Sequence, residues 1–137
     1  MNTYQITDEN YINSKSYKNF IKQNPSHGYL KIRAYSASQA IPIKGLKIVV
    51  SSIIDNNNII FFEGYTDDSG TIEKINLPAP KSNDNNLDAP KKTVYDIKAN
   101  YIPDNISFLY KVNMYEDICV VQNINIVPDM NLGTGGF

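Results

Sequence analysis

From Gly28 onward, large apolar residues fall on every second position in short runs broken by Gly, Pro, Asn and Asp. A repeat of two sends successive side chains to opposite faces of a strand, whereas a helix would need a repeat of about 3.6. The body of the chain is therefore predicted to be all-β. Leu30, Ile32 and Ala34 share one face of the first run, with Lys31, Arg33 and Tyr35 on the other. Pro42 and Gly45 punctuate a turn before Leu46, Ile48 and Val50, and after the Asp55-Asn56-Asn57-Asn58 turn Ile60 and Phe62 are expected to continue the same core in a hairpin. Thr66-Asp67-Asp68-Ser69-Gly70 reads as another turn, because Asp and Ser side chains hold local amides and Gly accepts a positive φ. A short strand then runs to Leu77. Residues Pro78 to Lys92 read as a long surface loop, rich in Pro, Asn and Asp. Strands resume through Tyr95, Ile97, Ala99 and Tyr101, then Phe108, Tyr110, Val112 and Met114, then Ile118, Val120, Ile124 and Ile126, with Pro128 ending the last.

About seven short strands, each with one face to bury, fit an immunoglobulin-like or transthyretin-like sandwich of two sheets; a small barrel is the alternative. The 137 residues suffice for one core and not for two. Residues 1–27 form an N-terminal extension, 28–128 the sandwich and 129–137 a tail expected to be flexible from its Gly content. Within the extension, Ser14 is placed to cap a short helix through Gln23 with Tyr17, Phe20 and Ile21 on its apolar face, ended by Asn24-Pro25. Such a helix is marginal alone and needs a surface to dock on.

If Leu46, Ile48 and Val50 point inward, Val49 points out. By the same alternation Ile59, Phe61 and Tyr65 lie opposite Ile60 and Phe62, and Cys119 and Val121 lie opposite Val120. These residues are expected to share one outer patch. The run Ile59-Ile60-Phe61-Phe62 is apolar on both faces, the pattern of a strand covered twice, and left bare it would invite aggregation. Two covers are open. The chain's own Tyr17, Phe20 and Ile21 can lie across it, or a second subunit can supply a swapped leader or an added strand. In the second case the extension before Gly28, or the tail ending in Phe137, inserts into a neighbour.

Thirteen Lys plus Arg against fourteen Asp plus Glu give a net charge of -1, so nothing drives binding to nucleic acid or anionic lipid. No apolar run is long enough for a signal-peptide core or membrane insertion. The excess of Ile, Asn and Lys is of the kind an AT-rich, low-GC bacterial coding sequence produces. One cysteine, Cys119, excludes an internal disulfide, and it reads as a buried structural thiol on a strand. His27 reads as a solvated turn residue without a nucleophile to serve, and Asp67 and Asp68 as turn residues rather than a carboxylate pair for glycoside hydrolysis. Asp84, Asn86 and Asp88 have the alternation of a calcium loop, but Ala89 stands where the turn needs Gly and Tyr95 where a bidentate Glu would fall. No cofactor, metal or catalytic residue is expected.

The order and spacing of these segments resemble the carboxypeptidase regulatory-like domains, seven-stranded sandwiches similar to transthyretin. Gly28-Tyr29-Leu30-Lys31-Ile32 is similar to the family's first strand, and Ala40-Ile41-Pro42-Ile43-Lys44-Gly45-Leu46-Lys47-Ile48 to the entry of its second, with Leu46 where a small residue is usual. Thr66-Asp67-Asp68-Ser69-Gly70, followed by Ile72 and later Leu77-Pro78, resembles its Thr-Asp-x-x-Gly turn. Tyr95-Asp96-Ile97-Lys98-Ala99 and Ile124-Asn125-Ile126-Val127-Pro128 resemble a Firmicute variety found in the amino-terminal part of clostridial spore cortex-lytic enzymes and in short stand-alone chains. Asn100-Tyr101 stands where the family favours Gly-Tyr, which a left-handed Asn100 would accommodate. The resemblance implies a non-catalytic module for docking, folding assistance or assembly, in the mother cell or on the spore surface. Its expected partner is a protein, either itself in a homo-oligomer or fibre, or a cell-wall hydrolase that it regulates or chaperones.

Overall fold

The computed structural model describes residues 1–36, 40–82 and 91–127, and the architecture is a two-sheet β-sandwich with two short helices. The chain opens with strand β1 (Thr3–Gln5), helix α1 (Glu9–Ile12) and helix α2 (Lys15–Gln23). It continues through β2 (Ser26–Ser36), β3 (Ile41–Pro42), β4 (Lys47–Ile54), β5 (Asn57–Tyr65), β6 (Thr71–Ala79), β7 (Thr93–Tyr101), a 3-10 turn (Ile102–Asp104), β8 (Ile106–Met114) and β9 (Cys119–Asn125). All seven expected strands are present; β1 and β3 are additional. One sheet has the order β1-β5-β4-β7-β8, and in the other β2 is flanked by β6 and β3 along one side and by the parallel β9 along the other. The two sheets remain separate, so the barrel alternative is set aside.

Turn chemistry fixes the hairpins. Asp55 and Asn56 take φ of 48° and 69°, the left-handed pair that matches strand twist in a two-residue loop. In the 66–70 turn, Asp67 Oδ1 accepts the amides of Ser69 (2.9 Å) and Thr71 (3.0 Å), and these bonds, the Thr71 amide foremost, hold its carboxyl below the usual range. Asn100, by contrast, is ordinary strand paired with Lys47 and Ser107, with no left-handed backbone. The left-handed backbone that would accommodate Asn for Gly is thus not adopted: the ladder on both sides of β7 holds Asn100 extended. Ile118, assigned to the last strand by alternation, sits in the turn before it, next to Asp117 at φ 59°.

The core lies between the inner faces, where Leu30, Ile32, Leu46, Ile48, Tyr95 and Ile97 are fully buried. The buried Tyr95 hydroxyl donates to the Pro78 carbonyl at 2.5 Å, tying β7 to β6 across the sandwich. Burial pushes its ionisation well above the ordinary phenol value, so it remains a neutral donor.

The β4–β5 ladder carries the main departure from simple alternation. Val50 pairs with Phe62 but Ser51 pairs with Ile60, so Phe61 is an extra residue, a bulge. Beyond it the phase of β5 reverses. Ile59 becomes fully buried and Phe61 is 8% exposed, while Phe62 packs half-buried against the same core. The expected inward Ile60 is only half-buried.

The leader belongs to this core. Ser14 Oγ accepts the Tyr17 amide (3.2 Å) and starts α2, whose short length would leave it marginal without a docking surface. Phe20 from α2 meets Phe61 with ring centroids 5.6 Å apart, and Phe61 meets Tyr95 edge-on at 5.3 Å. Tyr4 stacks on Tyr11, which abuts Tyr17, extending the aromatic row back to β1. At the end of α2, Asn24 donates to the Phe20 carbonyl (2.9 Å) and accepts from the Thr93 hydroxyl. β1 itself lies parallel beside β5, covering that sheet edge.

Candidate functional site

The residues expected to form one outer patch are dispersed. Val49 and Tyr65 lie on the outer face of the five-stranded sheet, where Val49 is half-buried and Tyr65 exposed, whereas Cys119 and Val121 lie on the outer face of the other sheet, some distance through the core. Ile59 and Phe61 are not on a surface, because the bulge turns both inward. Tyr17 and Ile21 are half-buried against the core, and Phe20 is buried in it. The leader of the same chain therefore covers Phe61. Val121, 46% exposed, stays open, as do Tyr65 and Cys119, whose thiol, expected to be buried, points outward on β9 and is exposed. Phe137, the 129–137 tail and the Asp84, Asn86 and Asp88 alternation lie outside the described residues.

A different surface emerges on the opposite flank. Among the described residues β8 is the edge of one sheet and β9 the edge of the other, and the two strands touch where the chain crosses between sheets through residues 115–118. Their inward residues Phe108, Tyr110 and Val120 are only half-buried, and burial still raises the Tyr110 phenol above its ordinary pKa. Outside them, Leu109 is 76% exposed and Ile118 is also open to solvent. β8 pairs with β7 over nine residues without a register shift and holds no proline. Its one charge, Lys111, is already paired with Asp96 at 2.6 Å. Alternation missed this flank because Phe108, Tyr110 and Val112 read as an ordinary inward set; the signal is Leu109 between two aromatics, a large apolar residue on the face otherwise made of Ser107, Lys111 and Asn113.

The end of this flank is clamped by Glu116. Its carboxylate accepts from the Ser26 hydroxyl (2.5 Å) and from the Ser82 amide (2.8 Å) and hydroxyl (2.7 Å), which joins the start of β2 and residue 82 to the β8–β9 turn. The Ser26 bond first, then those from Ser82, lower the Glu116 pKa from 4.5 to about 2. A carboxyl with a depressed folded-state pKa contributes stability above its unfolded value, and that contribution is lost as pH falls through the folded one. The Ser82 amide resonance should therefore shift with pH at a midpoint near 2, while the stability contribution of the clamp falls away between 4.5 and 2. A midpoint at 4.5 in an NMR titration would show that the clamp does not form.

No protein-family model matches the sequence, and no curated protein matches it. Among solved structures the chain is similar to the 5-hydroxyisourate hydrolase of Klebsiella pneumoniae, at 13% identity and a TM-score of 0.50, over 74% of this chain and 90% of that one. It is also similar to an (S)-allantoin synthase, at 10% identity and a TM-score of 0.51, over 82% of this chain. The chain has the transthyretin-like fold. It spans 44% of the allantoin synthase, and at these identities the likeness is one of fold alone. The expectation of a non-catalytic module is corrected by the same comparison: two proteins sharing this transthyretin-like sandwich are enzymes, so the fold is no argument against catalysis.

Proposed function

We propose that this chain is a protein-interaction module that self-assembles by strand addition at the β8–β9 flank, its partner a second copy of itself. The observation that carries this reading is the asymmetry between flanks. The leader seals the β5 side with β1 and the aromatic row, while the β8 side presents nine residues of regular, nearly uncharged edge with Leu109 in water. Edge strands of monomers are ordinarily blunted by lysines, proline, bulges or a covering segment. β8 has one lysine, spent on Asp96. A second β8 running antiparallel beside it would satisfy the idle backbone groups and remove Leu109, Tyr110 and Phe108 from solvent. A net charge of -1 offers little repulsion between copies.

The resemblance to Firmicute carboxypeptidase regulatory-like domains supports a spore or cell-surface layer as the setting of this assembly. It also supplies the other partner class, a cell-wall hydrolase docked on the same edge.

Leu109→Lys tests the edge. The site is exposed, so the fold should tolerate the change within about 0.5 kcal/mol, while two copies pairing there would bury a charge. The variant is expected to stay monomeric in light scattering at concentrations where the wild-type chain pairs. Equal association of both proteins would remove β8 from the interface.

A further inference from the structure

On the outer face of the second sheet, away from the β8 edge, the chain has a groove of about 490 Å³ lined by Lys31, Arg33, Tyr35, Pro42, Ser69 and Thr71. The place is set by the fold. β6 leaves the side of β2 at Arg33 and β3 takes over at Tyr35, so the 66–70 turn and Pro42 stand as two banks with the outward side chains of β2 as the floor. A cleft of this size admits a small ligand.

Its chemistry is cationic and hydroxylic. Arg33 is the only arginine in a chain that otherwise carries its positive charge on lysine. It is exposed, and among the described residues its guanidinium has neither an ion pair nor a side-chain hydrogen bond. Its cross-strand neighbours, Thr71 on β6 and Asn123 on β9, are both uncharged. Lys31, two residues away on the same face, touches Glu73 at 3.3 Å, and Lys74 lies 4.3 Å over the Tyr29 ring, so Arg33 has two further cations near it, while of the carboxylates at the adjoining turn Asp68 is paired with Lys44. The nearby Asp67 is turned into its own turn by the Ser69 and Thr71 amides and by the Thr71 hydroxyl.

We infer that this groove is a binding site for a small oxyanion-bearing ligand, a carboxylate or a phosphate ester, held by the Arg33 guanidinium with Lys31 beside it and the Ser69 and Tyr35 hydroxyls at its margin. A planar guanidinium offers two parallel N–H donors to such a group, which an ammonium cannot. The site is separate from the proposed assembly edge and stands or falls without it.

Amide NMR titrations of the full chain with inorganic phosphate and with D-glucuronate, against chloride at equal ionic strength, test the site. Saturable shifts confined to β2 from Lys31 to Tyr35 and to residues 67–71 are expected with at least one probe. Shifts with phosphate alone assign a phosphate ligand, and with glucuronate alone a carboxylate. Arg33→Lys, which keeps the charge and removes the fork, should weaken that binding about 10-fold. Shifts no larger than those from chloride, or equal affinity in the Lys variant, would overturn the inference.

Discussion

Replacing Phe20 by alanine should lower folding stability by about 3–5 kcal/mol, the usual cost of removing a buried phenylalanine ring. The ring is the buried contact of α2 with the sandwich, meeting Phe61, which in turn packs edge-on against the fully buried Tyr95. Its loss opens a cavity and also frees a nine-residue helix that has little stability of its own. The Asn24–Thr93 bond, the packing of Tyr17 and Ile21 and the β1–β5 pairing would then hold the leader. Urea denaturation should show the lower midpoint, and the near-ultraviolet dichroism of the aromatic row should weaken with it. A loss below about 1 kcal/mol, the level of an ordinary surface change, would mean that the leader only rests on the sandwich. Residues 1–27 read in the sequence as an extension of the sandwich, but Tyr11 and Phe20 belong to the common core, so deleting the leader should destabilise the chain rather than release an intact sandwich.

Gly70→Ala should cost about 3 kcal/mol, from two independent sources of strain. Gly70 has φ of 74°, where an L side chain is disfavoured, and a Cβ there would stand 2.3 Å from the Ala34 carbonyl oxygen. That oxygen accepts the Ile43 amide at 3.0 Å, and the Ala34 amide donates to the Gly70 carbonyl at 2.7 Å. Three strands are therefore joined at this point, and none can give way alone. Thermal unfolding of the variant measures the loss. An unchanged midpoint would show that the turn relaxes without disturbing β2.

Strand identity was legible where one face is apolar and the other polar, as in Leu30, Ile32 and Ala34 opposite Lys31, Arg33 and Tyr35. It was not legible at Ile59-Ile60-Phe61-Phe62, because four apolar residues in succession fit either phase and conceal a bulge. The outer patch inferred from that phase was lost with it. The cap at Ser14 and the apolar face of α2 were readable from local chemistry, but what the helix covers depends on contacts with residues far along the chain. β1, three residues long, has too little pattern to be seen. The open flank escaped for a related reason: alternation reports which side chains face inward and is silent on which strand has no neighbour.

The most direct test of the account is the mass of the wild-type chain by light scattering across a dilution series at neutral pH. A strand-added pair predicts a rise from 15.5 kDa toward twice that value as concentration increases, abolished by Leu109→Lys. A mass fixed at 15.5 kDa up to millimolar protein would contradict it.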